Sequence, residues 1–321
     1  MAVSVSLRDR FVGCLLGGAL GAPYEGLWGR DIPDGGSLLA GFGEFEGYPP
    51  GQFTDDTQLT AATVRAVVEE GEVSPAAIAR AIATLFARSE VIGPGGACLA
   101  AAHAFLRTGD WETCGAEPGQ AGNGTAMRTD PLGLAFLDRP DQLPGVVAAV
   151  SRITYRDARN VAGGVAVAKV AQLFACDPGI GPGELCAAVA AAIAEYSPEF
   201  AGWVERLPVL LDEPPDVALT TIAWAGMPAP EFDRPVITPF VVPTVLATLW
   251  CLLRYPDSWP AAVAAVRLGG DVDMLGAIVG ALAGARLGVR AIPEHLRRAV
   301  QQSQKLETLA LRYHERVTRA T

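Results

Sequence analysis

The sequence predicts an all-α fold, a single compact multi-helix domain covering residues 1–321. Three observations carry that expectation. Half of the residues are hydrophobic and alanine dominates the apolar positions, which favours helices that pack closely. Apolar residues recur at helical spacing, as with Leu59, Ala62, Val64, Val67 and Val68 between Thr54 and Glu70. Alternating segments that would make strands are short and isolated.

Element by element, Leu7 to Leu20 reads as a first helix that ends in Gly21-Ala22-Pro23. Residues 26–52 hold eight glycines and three prolines and read as ordered loop, of a length more often functional than accidental. Helices are expected at 54–70, 75–89, 96–107, 141–152, 157–176 and 182–196. A Pro-rich break follows at 212–239, then helices at 240–254, 258–268, 273–287 and 293–317. The breaks are too short for domain linkers, and no repeat is visible.

Charge and cysteine usage exclude whole classes of function. A formal net charge of -10 opposes stable binding to nucleic acid or to an anionic membrane, since both need basic patches. An anionic ligand would need local cations, from arginines or a bound metal. The six cysteines, Cys14, Cys98, Cys114, Cys176, Cys186 and Cys251, form no CxxC pair and sit largely in apolar helical patterns, so a disulfide framework is not expected. The N-terminus carries charge before any signal-length apolar run, and no apolar segment reaches membrane-spanning length. The expected compartment is the cytoplasm.

Two acidic segments stand out, Thr54-Asp55-Asp56-Thr57 and Gly269-Gly270-Asp271-Val272-Asp273-Met274. Each puts two carboxylates at the start of an apolar helix. Capping explains one carboxylate per helix, because side-chain oxygens there accept unpaired backbone N–H groups. A second carboxylate in each cluster points instead to a divalent cation: adjacent Asp55 and Asp56 repel, and hard ions such as Mg²⁺ or Mn²⁺ take carboxylate and hydroxyl oxygens. Spacing alone leaves both readings open. Two glycine-bracketed turns, Gly93-Pro94-Gly95-Gly96 and Gly122-Asn123-Gly124-Thr125-Ala126-Met127-Arg128, have the composition of loops that expose backbone N–H groups to phosphate.

Gly17 to Glu25 (GGALGAPYE), GQFTDDTQ, GNGTAMRTDPLGL and GGDVDMLGAIVGALAGARLG follow in order across residues 7–295, a pattern that resembles the ADP-ribosylglycohydrolases. The resemblance implies an all-helical fold with a binuclear Mg²⁺ or Mn²⁺ centre that holds the distal ribose while the C1″ bond to the acceptor is hydrolysed. It implies Thr54, Asp55, Asp56, Asp271 and Asp273 as metal ligands. Glu25 corresponds to the carboxylate of a closing loop, and Glu25, Asp55 and Asp56 are the candidate proton acceptors. Gly93, Gly95, Asn123, Gly124, Thr125 and Met127 correspond to the ADP-ribose cradle. The implied substrate is an ADP-ribosylated protein, nucleic-acid base or small molecule.

The chain departs from the family pattern at four places. Met274 replaces the threonine of GGDxDT, whose hydroxyl would serve a metal, so the second ion site loses a hard donor. Gly18 replaces the aspartate of GDALG, Thr154-Tyr155-Arg156 lacks the histidine of a THP-like segment, and Val91 stands where some members carry an aspartate. His103, His295 and His314 read as structural or surface residues. Tyr24 and Trp28 border the cleft or anchor their loop, and Arg128 faces a diphosphate or forms a local ion pair. Three functions compete: a metal-dependent hydrolase that removes ADP-ribose, a catalytically impaired ADP-ribose-binding protein of the same fold, and a purely structural protein. The four aspartates and Glu25 argue against the structural protein, and of the other two the hydrolase is preferred.

Overall fold

The computed structural model describes residues 5–21, 41–42, 44, 47–225, 235–264 and 270–319. Glu25, Tyr24, Trp28, Gly269 and the end of the 258–268 helix lie outside these residues. Among the described residues the chain is mostly helical, with no strand; isolated bridges join Ala116 to Tyr155, Gly122 to Phe240 and Ile237 to Gly270. All six cysteines are free, and no described helix is long and apolar enough to cross a membrane.

In chain order the helices are α1 (Leu7–Gly21), α2 (Asp55–Glu70), α3 (Pro75–Ala87), α4 (Gly96–Thr108), α5 (Ala126–Ala135), α6 (Leu143–Arg152), α7 (Ala158–Cys176) and α8 (Pro182–Ile193). They continue with α9 (Pro198–Leu210), α10 (Pro215–Trp224), α11 (Val241–Arg254), α12 (Trp259–Ala264), α13 (Val272–Leu287), α14 (Glu294–Ala299) and α15 (Ser303–Thr318). Several starts follow local chemistry. Ser74 and Ser197 accept from the N–H groups of Ala77 and Phe200 and are followed by Pro75 and Pro198, a proline position that costs no hydrogen bond. Asp157 caps α7 by accepting from the Arg159 N–H at 3.0 Å.

Three helices depart from the sequence expectation. The α9 and α10 segments were not expected, and α10 falls inside the Pro-rich break; the prolines at 198 and 215 open helices there rather than interrupt them. Likewise α5 forms in what read as loop, despite Pro131 in its interior. Proline removes the N–H that would bond Met127 O. The Thr60 hydroxyl of α2 donates to that carbonyl at 2.8 Å instead, and Tyr313 of α15 donates to Pro131 O at 2.8 Å. Tertiary partners therefore satisfy groups that local sequence leaves open. The expected 293–317 helix is broken between α14 and α15, where Gln302 adopts a positive φ of 56°.

At the centre, α1 crosses α13 with backbone against backbone. Gly13, Gly17 and Gly21 face Gly284, Gly280 and Gly276 in antiparallel order; a Cβ on Gly17 would lie 2.1 Å from Gly280 O, and one on Gly284 1.9 Å from Gly13 O. Trp259, fully buried, donates its indole N–H to Gly280 O at 3.0 Å and covers the flank of this crossing. Arg10 of α1 reaches the C-terminal end of α13, donating to Ala285 O at 3.0 Å and to Arg286 O, where helix carbonyls favour a cation. The crossing fixes α13, and with it Asp271 and Asp273.

Gly17→Ala should therefore lower stability by about 1–3 kcal/mol or more, since neither backbone can yield locally. Gly145→Ala is the matched control: Gly145 lies in α6 with nothing within 4 Å of the added Cβ, so the change should stabilise by about 0.5–1 kcal/mol. Chemical denaturation of both variants checks the pair, and equal effects would contradict the packing account.

The Asp157 cap gives a pH signature. Its carboxylate is held at about 2, below the ordinary 3.8, chiefly by the Arg159 side chain and also by the Gly119 N–H. A depressed carboxylate contributes stability above the unfolded value and loses it as pH falls through the folded one. Asp157→Ala should cost about 1 kcal/mol near neutrality, and the gap from the parent should close as the pH is lowered from about 4 to about 2. A gap that stays constant over that range would show that the charge plays no part.

Candidate active site

Both acidic helix starts reach one region. Thr54 stands at the N-cap of α2 and Asp271 at that of α13, yet neither side chain caps its helix. Thr54 Oγ1 donates to Asp56 Oδ2 at 3.4 Å, and Asp55 Oδ2 accepts the Gly95 N–H at 3.2 Å. Asp271 Oδ2 accepts Asn123 Nδ2 at 2.5 Å, and Asp271 and Asp273 are within hydrogen-bonding reach of each other. The charge of Asp273 acts on Asp55 and that of Asp55 on Asp271, so the clusters lie side by side rather than on opposite faces. Backbone bonds hold the arrangement. Asp55 N donates to Ile92 O at 2.9 Å, Asn123 N to Pro239 O at 3.1 Å and Asp271 N to Ile237 O at 2.9 Å. At Gly270, φ is 92° and a Cβ would meet Ile237 O at 2.1 Å, so this turn requires glycine.

Electrostatics mark the cluster as strained without a counter-charge. Burial is the largest influence on Asp55 and, with the negative charge of Asp273, raises it to about 7 against the Gly95 hydrogen bond. Burial and the Asp273 charge push Asp271 well up, and burial raises Asp273. Like charges brought together in a poorly solvated site favour protonation or a bound cation.

The oxygen donors suit a hard divalent ion: Asp55, Asp271 and Asp273 converge, with Thr54 and Asp56 beside them. Among the described residues, no three Asp, Glu, His or Cys side chains are gathered closely enough to enclose an ion as they stand. Asp271 and Asp273 turn to each other and Asp55 to the Gly95 amide, contacts a cation would have to replace. Met274 packs against the core, as does Val91. Gly18 opens onto an internal cavity of about 10 Å³, bordered by Asp56, Thr57, Cys14 and Asp130, about the space one water needs. Burial lifts the Asp130 carboxyl to about 7, and the Cys14 thiol donates to it at 3.1 Å.

The two glycine turns surround this cluster in different ways. Gly93 takes a left-handed φ of 64°, and Gly95 directs its N–H at Asp55. Asn123 donates to both Asp271 and Thr244 Oγ1, so it steadies a carboxylate. Gly124 is tightly packed: a Cβ there would stand 3.0 Å from the Tyr155 ring and 3.1 Å from Cys98 Sγ. Thr125 is fully buried and donates to Asn160 O at 2.9 Å; Met127 is buried too. Arg128 faces neither a diphosphate nor an ion-pair partner: it is fully buried and donates to Val150 O and Thr154 Oγ1. Its guanidinium is lowered to about 10 by burial. Of the Thr154-Tyr155-Arg156 segment, Thr154 thus holds Arg128, Tyr155 closes over the glycine turn, and Arg156 pairs with Glu117.

Sequence reasoning missed Asn160, Arg159 and Phe240. Asn160 donates to Gly122 O and accepts from Thr125, fixing the turn from α7. Arg159 lies over the Phe240 ring at 5.2 Å, and both line a cavity of about 330 Å³ beside the bridge from Phe240 to Gly122. Their signal was weak, because Arg159 and Asn160 read as the ordinary first turn of a helix and Phe240 as the start of another.

Residues 4–321 match the model of the ADP-ribosylglycohydrolase family. The chain is 27% identical over 297 residues to the ADP-ribosyl-[dinitrogen reductase] glycohydrolase of Rhodospirillum rubrum, covering 90% of this chain and 89% of that protein. It is 28% identical over 340 residues to the uncharacterized protein YegU of Escherichia coli, covering 93% and 94%. A solved structure described as an ADP-ribosylglycohydrolase-related protein complex aligns with a TM-score of 0.70 at 25% identity, over 97% of this chain and 99% of that one. With a family match over nearly its whole length and the family's helical fold, the chain belongs to the ADP-ribosylglycohydrolases.

Proposed function

We propose that this chain, as one domain, hydrolyses the C1″ bond between ADP-ribose, or a related ribosyl group, and an acceptor, with Mg²⁺ or Mn²⁺ as cofactor. The observation that carries the reading is the convergence of Asp55, buried at one helix start, with Asp271 and Asp273, half-buried at another: the Asp273 charge raises the proton affinity of both Asp55 and Asp271, and the Asp55 charge raises that of Asp271. Family membership supports hydrolysis, and the Rhodospirillum rubrum relative bears the name of a glycohydrolase of an ADP-ribosylated protein. The acceptor classes are an ADP-ribosylated protein, a nucleic-acid base or a small molecule. Six free cysteines suit the reducing cytoplasm.

In this proposal Thr54, Asp55, Asp56, Asp271 and Asp273 hold the cation or cations. A bound dication supplies positive charge that orients a ribose diol and makes water more acidic. Asp55 or Asp56, or Glu25 from outside the described residues, accepts the proton of the attacking water. Asn123 keeps Asp271 aimed through its 2.5 Å hydrogen bond. The Gly93–Gly95 and Asn123–Gly124 turns form the rim against which the ribosyl group lies, while Thr125 and Met127 support that rim from beneath. Arg159 and Phe240 extend it with a cation and a flat ring suited to a nucleotide end.

A hydrolysis screen of ADP-ribosylated arginine, serine and nucleobases with Mg²⁺, Mn²⁺ and EDTA should show release that depends on metal. Undiminished release in EDTA would remove the metal from the proposal, and binding of ADP-ribose without release from any substrate would leave the impaired binding protein. Asn123→Ala should weaken metal binding by about 10–100-fold, with Asp273→Ala weakening it further, both folds remaining intact by circular dichroism. Unchanged calorimetric affinity in both would remove Asp271 and Asp273 from the metal proposal.

Met274 provides a separate test, because a thioether is a poor donor for Mg²⁺. Met274→Thr should tighten the weaker of two ion sites and raise turnover at limiting metal. Two equally tight sites in the parent, unaltered by threonine, would show that Met274 serves packing alone.

A further inference from the structure

A second concavity adjoins the carboxylate cluster on the opposite side of the α2 start. It has a volume of about 800 Å³ and lies between the flank of α2 and α15. Arg65 of α2 and Lys305 and Arg312 of α15 border it, against one carboxylate, Glu90, with Phe53 and Leu309 among its apolar lining. All three cations are exposed, and among the described residues none of them forms a salt bridge. Lys305 makes one hydrogen bond, to Gln302 Oε1 at 3.2 Å. In a chain of net charge -10, three unpaired cations around one groove are a local reversal of sign.

We propose that this groove binds an acidic peptide segment of the acceptor that carries the ADP-ribosyl group, an inference that rests on the hydrolase reading above. The spacing of the cations selects an extended chain. Lys305 and Arg312 are seven positions apart, about 10 Å along the helix axis. One phosphate cannot reach both, whereas carboxylates two or four residues apart on one face of an extended peptide, about 7 or 13 Å at about 3.3 Å per residue, bracket that span. Arg65 faces them from the other wall. Nucleic acid fits less well, because its dense charge is opposed by the acidic remainder of the molecule.

Position connects the groove to the chemistry. Phe53, in its lining, directly precedes Thr54 and Asp55, and Ile92, also in the lining, accepts the Asp55 N–H through its carbonyl at 2.9 Å. Gln58 braces this wall: its side chain accepts from Ile92 N at 2.8 Å and donates to Glu90 O at 2.7 Å. A peptide in the groove would therefore flank whatever is held at the carboxylates. The groove supplies acceptor selectivity that the ribosyl site by itself does not.

The test uses a fluorescein-labelled peptide of alternating Asp and Ala, and a neutral peptide of alternating Asn and Ala, with the full-length protein. The acidic peptide should bind and weaken with added salt, and the double variant Arg65→Glu/Arg312→Glu should lose at least about tenfold in affinity. These side chains are exposed, and circular dichroism and the melting temperature confirm that the variant is folded. With ADP-ribosylated substrates, the double variant should lower kcat/KM for a modified acidic peptide and leave the modified amino acid alone unchanged. Equal affinity of parent and variant for the acidic peptide, or equal binding of the neutral one, would overturn the proposal. Displacement of the acidic peptide by a single-stranded oligonucleotide of higher affinity would assign the groove to nucleic acid and overturn it as well. If no substrate is hydrolysed, the peptide-binding measurement still decides the groove, so failure of the hydrolase reading is separately visible.

Discussion

The glycine-on-glycine crossing of α1 and α13 is the constraint on which the remainder of this structure depends. Three glycines on each helix let the backbones approach until a single methyl group would collide with a carbonyl. Such contact offers dense dispersion attraction, but only at one register, because the small surfaces recur every four residues and bulkier ones stand between. The register decides where the N-terminus of α13 falls, hence where Asp271 and Asp273 sit relative to Asp55. Trp259 and Arg10 reinforce it by bonding carbonyls of α13 near its centre and its end.

Around that axis the protein accepts a costly arrangement. Carboxylates that could have been fully exposed are buried, as at Asp55, or half-buried, as at Asp271 and Asp273, beside one another, and neighbouring turns supply bonds that steady them. A fold selected for stability alone gains nothing from this, since buried like charges oppose folding. In the proposed function a bound cation would offer the compensating free energy, linking metal to stability as well as to chemistry. The support beneath the site is polar yet enclosed. Thr60 satisfies the carbonyl freed by Pro131, Thr125 and Asn160 lock the glycine turn, and Arg128 ties α5 to the end of α6.

The proposed division of labour places ribosyl chemistry at the carboxylates and acceptor recognition in the basic groove across α2. One helix start serves both sides: Thr54, Asp55 and Asp56 toward the site, Gln58 and Arg65 toward the groove. The proposed groove rests on exposed side chains and the glycine crossing on buried backbone, so a change in the cations of α15 leaves that crossing untouched.

The sequence by itself determined the all-helical class, most helix positions and the identity of the acidic clusters. Those features are local: periodic apolar residues, alanine propensity, and carboxylates that outnumber what helix caps require. The tertiary structure alone decided that the two clusters converge, since residues 55 and 271 are brought together by packing of α1 on α13 and by backbone bonds to Ile92 and Ile237. It also decided that α5 is helical through Pro131, that Arg128 is interior, and that Asn123 serves a carboxylate. In each case the deciding partner lies far away in the chain, as Thr60 does for Met127 O, Val150 for Arg128 and Asp271 for Asn123. Periodicity and propensity report only on near neighbours, so bonds across such distances become visible only once the helices are packed.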